Sequence, residues 1–294
     1  MLLGKCLKGF LVQTQRNVRN EVELADLPEL MKACPPLGST PMPSLNAITM
    51  ATLDAARVLM ESGGKAKSVD DLVHMIAHGL GAESAELRIG YASLGLTISI
   101  GHSSITRMKK VGSIGVNQRL EQGLWQLAKR GLHERLEAEQ VEDQLVQLVA
   151  ATPHYRPWVM ALGVGLACAA FGRLLGVDWR GTGPVFFAAT VGQCVRQFAL
   201  RYGLNVFVCT VLVSSLASLL ASIGGHWAGS GTIGTAVIAS VLLLVPGVPA
   251  VNALNDILEG YPTLGSARAT SVMVVLLFIA AGLWIGPVVL NLWR

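Results

Sequence analysis

No Asp, Glu, Lys or Arg occurs from Tyr202 through Asn255, nor from Ala269 through Trp293. About 20 apolar residues suffice to cross a bilayer, so the first stretch holds enough for two spans and the second for one. Of the 42 charged residues in the chain, 33 fall in 1–156 and 9 in 157–294. The first half can therefore fold in water and the second cannot. Five spans fit the second half: Trp158–Leu175, Thr182–Leu200, Leu204–Ile223, Thr232–Val251 and Ala269–Leu290.

The N-terminal 45 residues carry scattered charges and four prolines within 35–43, which preclude a regular element and read as a flexible leader. Residues 46–152 then read as an α+β domain in the order ααβββαα. Ile48, Leu53, Ala56, Leu59 and Met60 recur at helical spacing, and Gly63-Gly64 ends that helix. Ser68 before Val69, Asp70 and Asp71 has the pattern of an N-cap for the next helix. Leu87, Ile89 and Tyr91 alternate, as do Leu96, Ile98 and Ile100, which predicts two strands with a turn near Ser93–Gly95. Ile105–Val111 is a third, edge-like strand because of Arg107, Lys109 and Lys110. Two helices rich in Glu, Gln and Leu follow at Asn117–Arg130 and Glu134–Ala151. Pro153 and Pro157 mark the boundary to the membrane domain, 153–294, and Trp158 opens it as an interfacial anchor.

The fourth span is the most informative. Ser240–Gly260 begins as an apolar helix and meets Pro246, Gly247 and Pro249 within four residues. In a continuous helix each proline would deprive the carbonyl four residues back, Leu242 or Val245, of its partner. Such a break survives in a bilayer only where protein or a watery cavity re-satisfies the backbone. Beyond it Asn252, Asn255, Asp256 and Glu259 form one polar stripe at helical spacing. Two readings compete: a solute site on a broken span, or a proline kink followed by an interfacial helix. Arg196, with Gln193 and Gln197 beside it, is either a cation for an anionic solute or a snorkelling interfacial arginine. Ser214, Ser218 and Ser222 at four-residue spacing, with Ala217 and Ala221, favour close helix packing over a hydroxyl-lined path, and the face is expected to take another membrane subunit.

Several classes find no support. The net charge of +4 and the absence of aromatics alternating with basic residues argue against nucleic acid. No nucleophile elbow, P-loop or dinucleotide fingerprint is present, so neither an enzyme nor a cofactor is expected. His74 and His78 lack the glutamate of a zincin helix, and no metal site is expected. The five cysteines form no C-x-x-C and read as reduced apolar residues. The N-terminus has no signal-peptide core, which predicts a cytoplasmic first domain in an inner-membrane protein; the arginines alone, three at cytoplasmic ends against two outside, decide little.

The L-L-L-V-P-G-V-P-A-V-N-A-L-N-D core of Ser240–Gly260 resembles the threonine/serine exporter family. So do Tyr155-Arg156-Pro157-Trp158, Gly203-Leu204-Asn205, the E-S-G-G-K-A segment at Glu61–Ala66 and G-S-I-G-V-N at Gly112–Asn117. The likeness covers about residues 50–290. Full-length members of that family add a second, smaller membrane half. The chain ends after its fifth expected span, which resembles the larger subunit of the two-component bacterial succinate exporter. The resemblance implies export of a small carboxylate, succinate-like dicarboxylate first and threonine or serine second, with a small four-span membrane partner. Pro246, Gly247 and Pro249 are then expected to make the break, Asn252, Asn255 and Asp256 to give polar contact or proton linkage, and Arg196 to meet the carboxylate. The rival outside transport is a membrane-anchored metabolite sensor, for which one span would suffice.

Overall fold

The computed structural model describes residues 44–134, 136–152 and 155–292. The expected leader, apart from its last two residues, and the Pro153 boundary lie outside them. Helix α1 (Leu45–Glu61) is capped by the Ser44 hydroxyl, which accepts from Ala47 N at 3.2 Å. Helix α2 (Ala66–Gly79) follows, then strands β1 (Ser84–Ile89), β2 (Ser93–Ile100) and β3 (Ser103–Lys110), and helices α3 (Gln118–Glu134) and α4 (Ala138–Ala151). The strands form one antiparallel sheet in the order β1-β2-β3, with Leu96 opposite Leu87 on one side and Arg107 on the other. Leu94, Leu96 and Ile98 of β2 are fully buried and alternate with half-exposed polar positions, so one face is covered and the other wet. Helices α1 and α2 cover that face, and α3 and α4 pack outside them.

Two expectations here are corrected. The turn between β1 and β2 is at Gly90–Ala92, where Gly90 N donates to Ser93 O, and Ser93–Gly95 lies inside β2. Ser68 is not an N-cap: α2 starts two residues earlier, after Lys65, whose side chain makes no cap. The cap comes from the other end of the chain, as shown below.

Beyond Arg156 the chain is helical: α5 (Pro157–Leu174), α6 (Trp179–Arg201), α7 (Val206–Trp227), α8 (Ile233–Ser240), a 3-10 turn (Leu242–Leu244), α9 (Gly247–Leu258) and α10 (Pro262–Leu292). Three of these, α5, α7 and α10, are long and apolar enough to cross a membrane, and a fourth crossing is available if α8 and α9 count as one span bent by 66°. Helix α6 is the remainder of the expected five. Its 23 residues reach about 34 Å at 1.5 Å per residue, but Arg180, Arg196 and Arg201 with Gln193 and Gln197 dilute its apolar character. It packs along α5 and α7 and buries Ala188, Ala189, Gly192 and Gln193.

The small-residue face of α7 is filled from within. A Cβ at Gly282 of α10 would fall 1.7 Å from Ser214 Oγ, and Ser240 Oγ donates to Ala217 O at 3.3 Å. Close packing is thus its use, but its neighbours are α8 and α10 of this chain, which corrects the expectation of another subunit on that face. At the end of the bundle away from α1–α4, Asp178 binds the α5–α6 loop to the α7–α8 loop. Its carboxylate accepts from Gly181 N at 2.7 Å, Ser230 Oγ at 2.7 Å and Gly231 N at 2.9 Å. The Ser230 hydroxyl and those amides hold the Asp178 carboxyl below its ordinary range.

Candidate functional site

The helix leading to the break tightens before it stops. After Ser240 the backbone passes into the 3-10 turn, and at Pro246 (φ −80°, ψ 64°) it turns into α9. The two carbonyls expected to lose their partners are both satisfied locally: Leu242 O accepts from Val245 N at 3.1 Å, and Val245 O from Gly247 N at 2.9 Å. Pro249 falls in the first turn of α9, where a missing N–H costs nothing. Pro246-Gly247-Val248-Pro249 is therefore the start of a helix rather than a fault inside one. Val245, Gly247, Val248, Pro249 and Ala250 are exposed on the surface of this chain.

Helix α9 is two-sided. Val248, Val251, Leu254 and Leu258 are exposed, Asn255 is half-buried, and Asn252 and Asp256 are buried. The buried side faces the turn between α1 and α2. There Asn252 Nδ2 donates to Gly63 O at 2.7 Å. Asp256 Oδ1 accepts from Ala66 N at 2.8 Å and so caps α2, which has no side-chain cap from its own segment. Asp256 Oδ2 pairs with Arg268 Nη1 of α10 at 2.6 Å, and Arg268 Nη2 donates to Gly64 O at 3.0 Å. Asp256 is 0% and Arg268 4% exposed.

The same turn is held from its other side by Gly112–Asn117. Gly115 N donates to Glu61 O at 2.7 Å, Asn117 N to Ser62 O at 3.0 Å, and Gly112 N to the Glu61 carboxylate at 2.8 Å. Gly63 sits at φ +92°, and a Cβ there would lie 2.7 Å from Gly115 O, so both its dihedral and its space require glycine. The carbonyls of Glu61, Ser62, Gly63 and Gly64 are thus each taken by a different group. Three of the stretches that carried the family resemblance meet at this one turn. Tyr261, between α9 and α10, packs with Leu264 on the core formed by α1–α4 and the sheet. Burial, with the Asp70 carboxylate as its neighbour and hydrogen-bond partner, pushes its phenol up to about 12. Burial likewise pushes the Asp71 carboxyl up.

Arg196 lies elsewhere, on α6. A Cβ at Gly192, one turn before it, would be 3.6 Å from Leu243 of the 3-10 turn, so α6 passes the break at this level. Arg196 is half-buried, its carbonyl accepts from Cys209 Sγ at 4.0 Å, and its guanidinium has no carboxylate partner among the described residues. The structure therefore gathers Pro246, Gly247 and Pro249 at the bend, sets Arg196 on the helix beside it, and turns Asn252 and Asp256 towards the α1–α2 turn. From the sequence, Arg268 counts only among the three arginines at cytoplasmic ends. Its signal is available: a cation at the edge of an apolar run, 12 residues from Asp256, where intramembrane charges pair with one another.

The sequence profile described as "Putative threonine/serine exporter" matches residues 51–290. The chain belongs to this family. Two relatives named "Probable succinate transporter subunit YjjP" support the placement. The protein from Klebsiella aerogenes is 28% identical over 226 residues, which covers 76% of this chain and 86% of the relative. Its counterpart from Escherichia coli is 29% identical over the same shares. An uncharacterized protein of Haemophilus influenzae is 26% identical over 45% of this chain and 44% of its own length. No solved structure matches. As a member of an exporter family with apolar helices of spanning length, the chain is a membrane protein, and its family implies an exporter rather than an enzyme.

Proposed function

We propose that this chain is the larger subunit of an inner-membrane exporter for a small carboxylate, a succinate-like dicarboxylate before threonine or serine. It works with a small four-span membrane partner. Residues 46–152 form its cytoplasmic domain and 153–294 its membrane domain, with α6 as the fifth crossing. The observation that carries the reading is Arg196: a half-buried guanidinium with no carboxylate partner among the described residues, on the helix that passes the break. Pro246, Gly247 and Pro249 place the N-terminal end of α9 there without a side-chain cap, a second positive influence on an anion. Asn255 is half-buried on the same helix. The relatives' name, a succinate transporter subunit, favours a dicarboxylate and a partner. The family's description favours threonine or serine as the second reading.

The test is efflux of radiolabelled succinate or threonine from proteoliposomes, with and without the candidate partner. Succinate should leave only when both subunits are present, and Arg196→Gln should slow it about tenfold or more, the loss of one charge-assisted hydrogen bond. Wild-type efflux by Arg196→Gln would remove Arg196 from the site. Threonine efflux without succinate efflux would move the substrate to the second reading.

A further inference from the structure

The sequence predicts Asn252 and Asp256 in the solute site; in the structure their side chains bond to the α1–α2 turn. We infer that Asn252, Asp256 and Arg268 are positioning residues: they clamp the broken span to the first domain, so that this domain fixes the angle of α9. The inference rests on the break being the transport site, and it assigns what regulates that site.

Three features point the same way. The clamp is directional, because Asp256 accepts from Ala66 N while it pairs with Arg268, and Arg268 donates to Gly64 O while it pairs with Asp256. Neither residue can take the other's place. The clamp is also reciprocal. Helix α2 depends on Asp256 for its cap, so a movement of α9 away from the turn uncaps α2, and a movement of α2 strips the Ala66 bond from the pair. Finally, the other side of α9 gives little hold. Val248, Val251, Leu254 and Leu258 are exposed, while the 3-10 turn before the break is fixed in the bundle, where Leu244 packs in one core cluster with Val213 and Ile279. What sets the 66° angle within this chain is therefore α10 and the clamp.

The experiment uses the full chain, freed of its five cysteines and reconstituted in lipid. Spin labels at two exposed positions, Val146 on α4 and Leu254 on α9, report the distance between the first domain and α9. A control pair at Leu212 on α7 and Ile238 on α8, also exposed, reports the bundle. Wild type should give one narrow distance for each pair. The joint replacement Asp256→Leu with Arg268→Met removes both charges together, which proteins tolerate far better than removal of one. It should lose the narrow Val146–Leu254 peak and keep the control. The exchange Asp256→Arg with Arg268→Asp restores the ion pair but neither backbone bond, and should not recover the peak. An unchanged Val146–Leu254 distance in the joint replacement, or recovery in the exchange, would overturn the inference. Should the joint replacement lose the control distance as well, Asn252→Ala decides: it removes only the Gly63 bond, and a distance as narrow as wild type would sink the clamp. In succinate efflux, loss of the clamp should lower the maximal rate and leave the half-saturating concentration unchanged; a shifted half-saturation would return Asp256 to the solute. If wild type moves no succinate, the substrate reading fails, and the distances still decide the clamp.

Discussion

Asp256 and Arg268 are a buried pair whose remaining hydrogen-bonding capacity is met by backbone groups, Ala66 N and Gly64 O. Such a pair contributes little net stability against a well-packed apolar replacement, but removal of one partner strands the other. Arg268→Met alone should therefore cost about 3–5 kcal/mol, read as a lowered melting temperature in detergent, and adding Asp256→Leu should recover most of it. Full stability of Arg268→Met would mean that the Asp256 carboxylate finds other donors. Tyr261 makes a second residue-level prediction. Its phenol is raised from 10.0 to about 12 in the folded chain, chiefly by burial and then by the Asp70 carboxylate. A raised folded-state value gives stability that is complete below the unfolded value and lost as pH rises through the folded one. The tyrosine contribution should thus hold to about pH 10 and vanish by about pH 12. The phenolate absorbance difference between wild type and Tyr261→Phe should titrate near 12; a midpoint near 10 would place the side chain in water.

At the scale of elements, Pro246 reads differently in the fold than in the sequence. A proline inside a helix costs about 3 kcal/mol, so Pro246→Ala in a continuous span would stabilise it by that order. Here Pro246 is the N-cap of α9, and Leu242 O already has Val245 N. Pro246→Ala should therefore change stability by less than about 1 kcal/mol, as most substitutions away from special contacts do, while efflux falls because the fixed φ at the corner is gone. A gain near 3 kcal/mol would mean that the span straightens when the proline is removed. The contrast shows which parts of the chain were legible. Local period sufficed for α1, the alternation of β2 and the edge position of β3, because each is decided within a few residues by burial of one face. The start of α2 was not legible, since its cap is supplied by Asp256, 190 residues away. The break was visible as prolines, but the repair of its carbonyls depends on a 3-10 turn that composition does not announce. The polar stripe of α9 was found, and its destination was not: periodicity says that a face is polar, never what it meets.

At the scale of the molecule, α1–α4 with their sheet and the helices from α5 on are joined through α9 and α10 rather than merely through the chain between α4 and α5. Leu264 and Tyr261 complete the core of α1–α4, and Ser271 Oγ donates to Tyr91 Oη at 3.1 Å, so the start of α10 is part of both halves. The Asp178 network marks the opposite end of the bundle, where Trp227 is exposed. This polarity makes the proposed topology testable with single cysteines in the cysteine-free chain. If the first domain is cytoplasmic and α5, α6 and α7 each cross, Glu139→Cys on α4 and Trp227→Cys at the end of α7 face opposite sides of the membrane. A membrane-impermeant maleimide added to intact spheroplasts should then label Trp227→Cys and spare Glu139→Cys until the membrane is opened. The reverse pattern would invert the protein in the membrane. Protection of both positions in intact spheroplasts would put Trp227 on the side of the first domain, so that α6, with its three arginines, would not cross and the Asp178 bonds to Ser230 and Gly231 could not join the two loops.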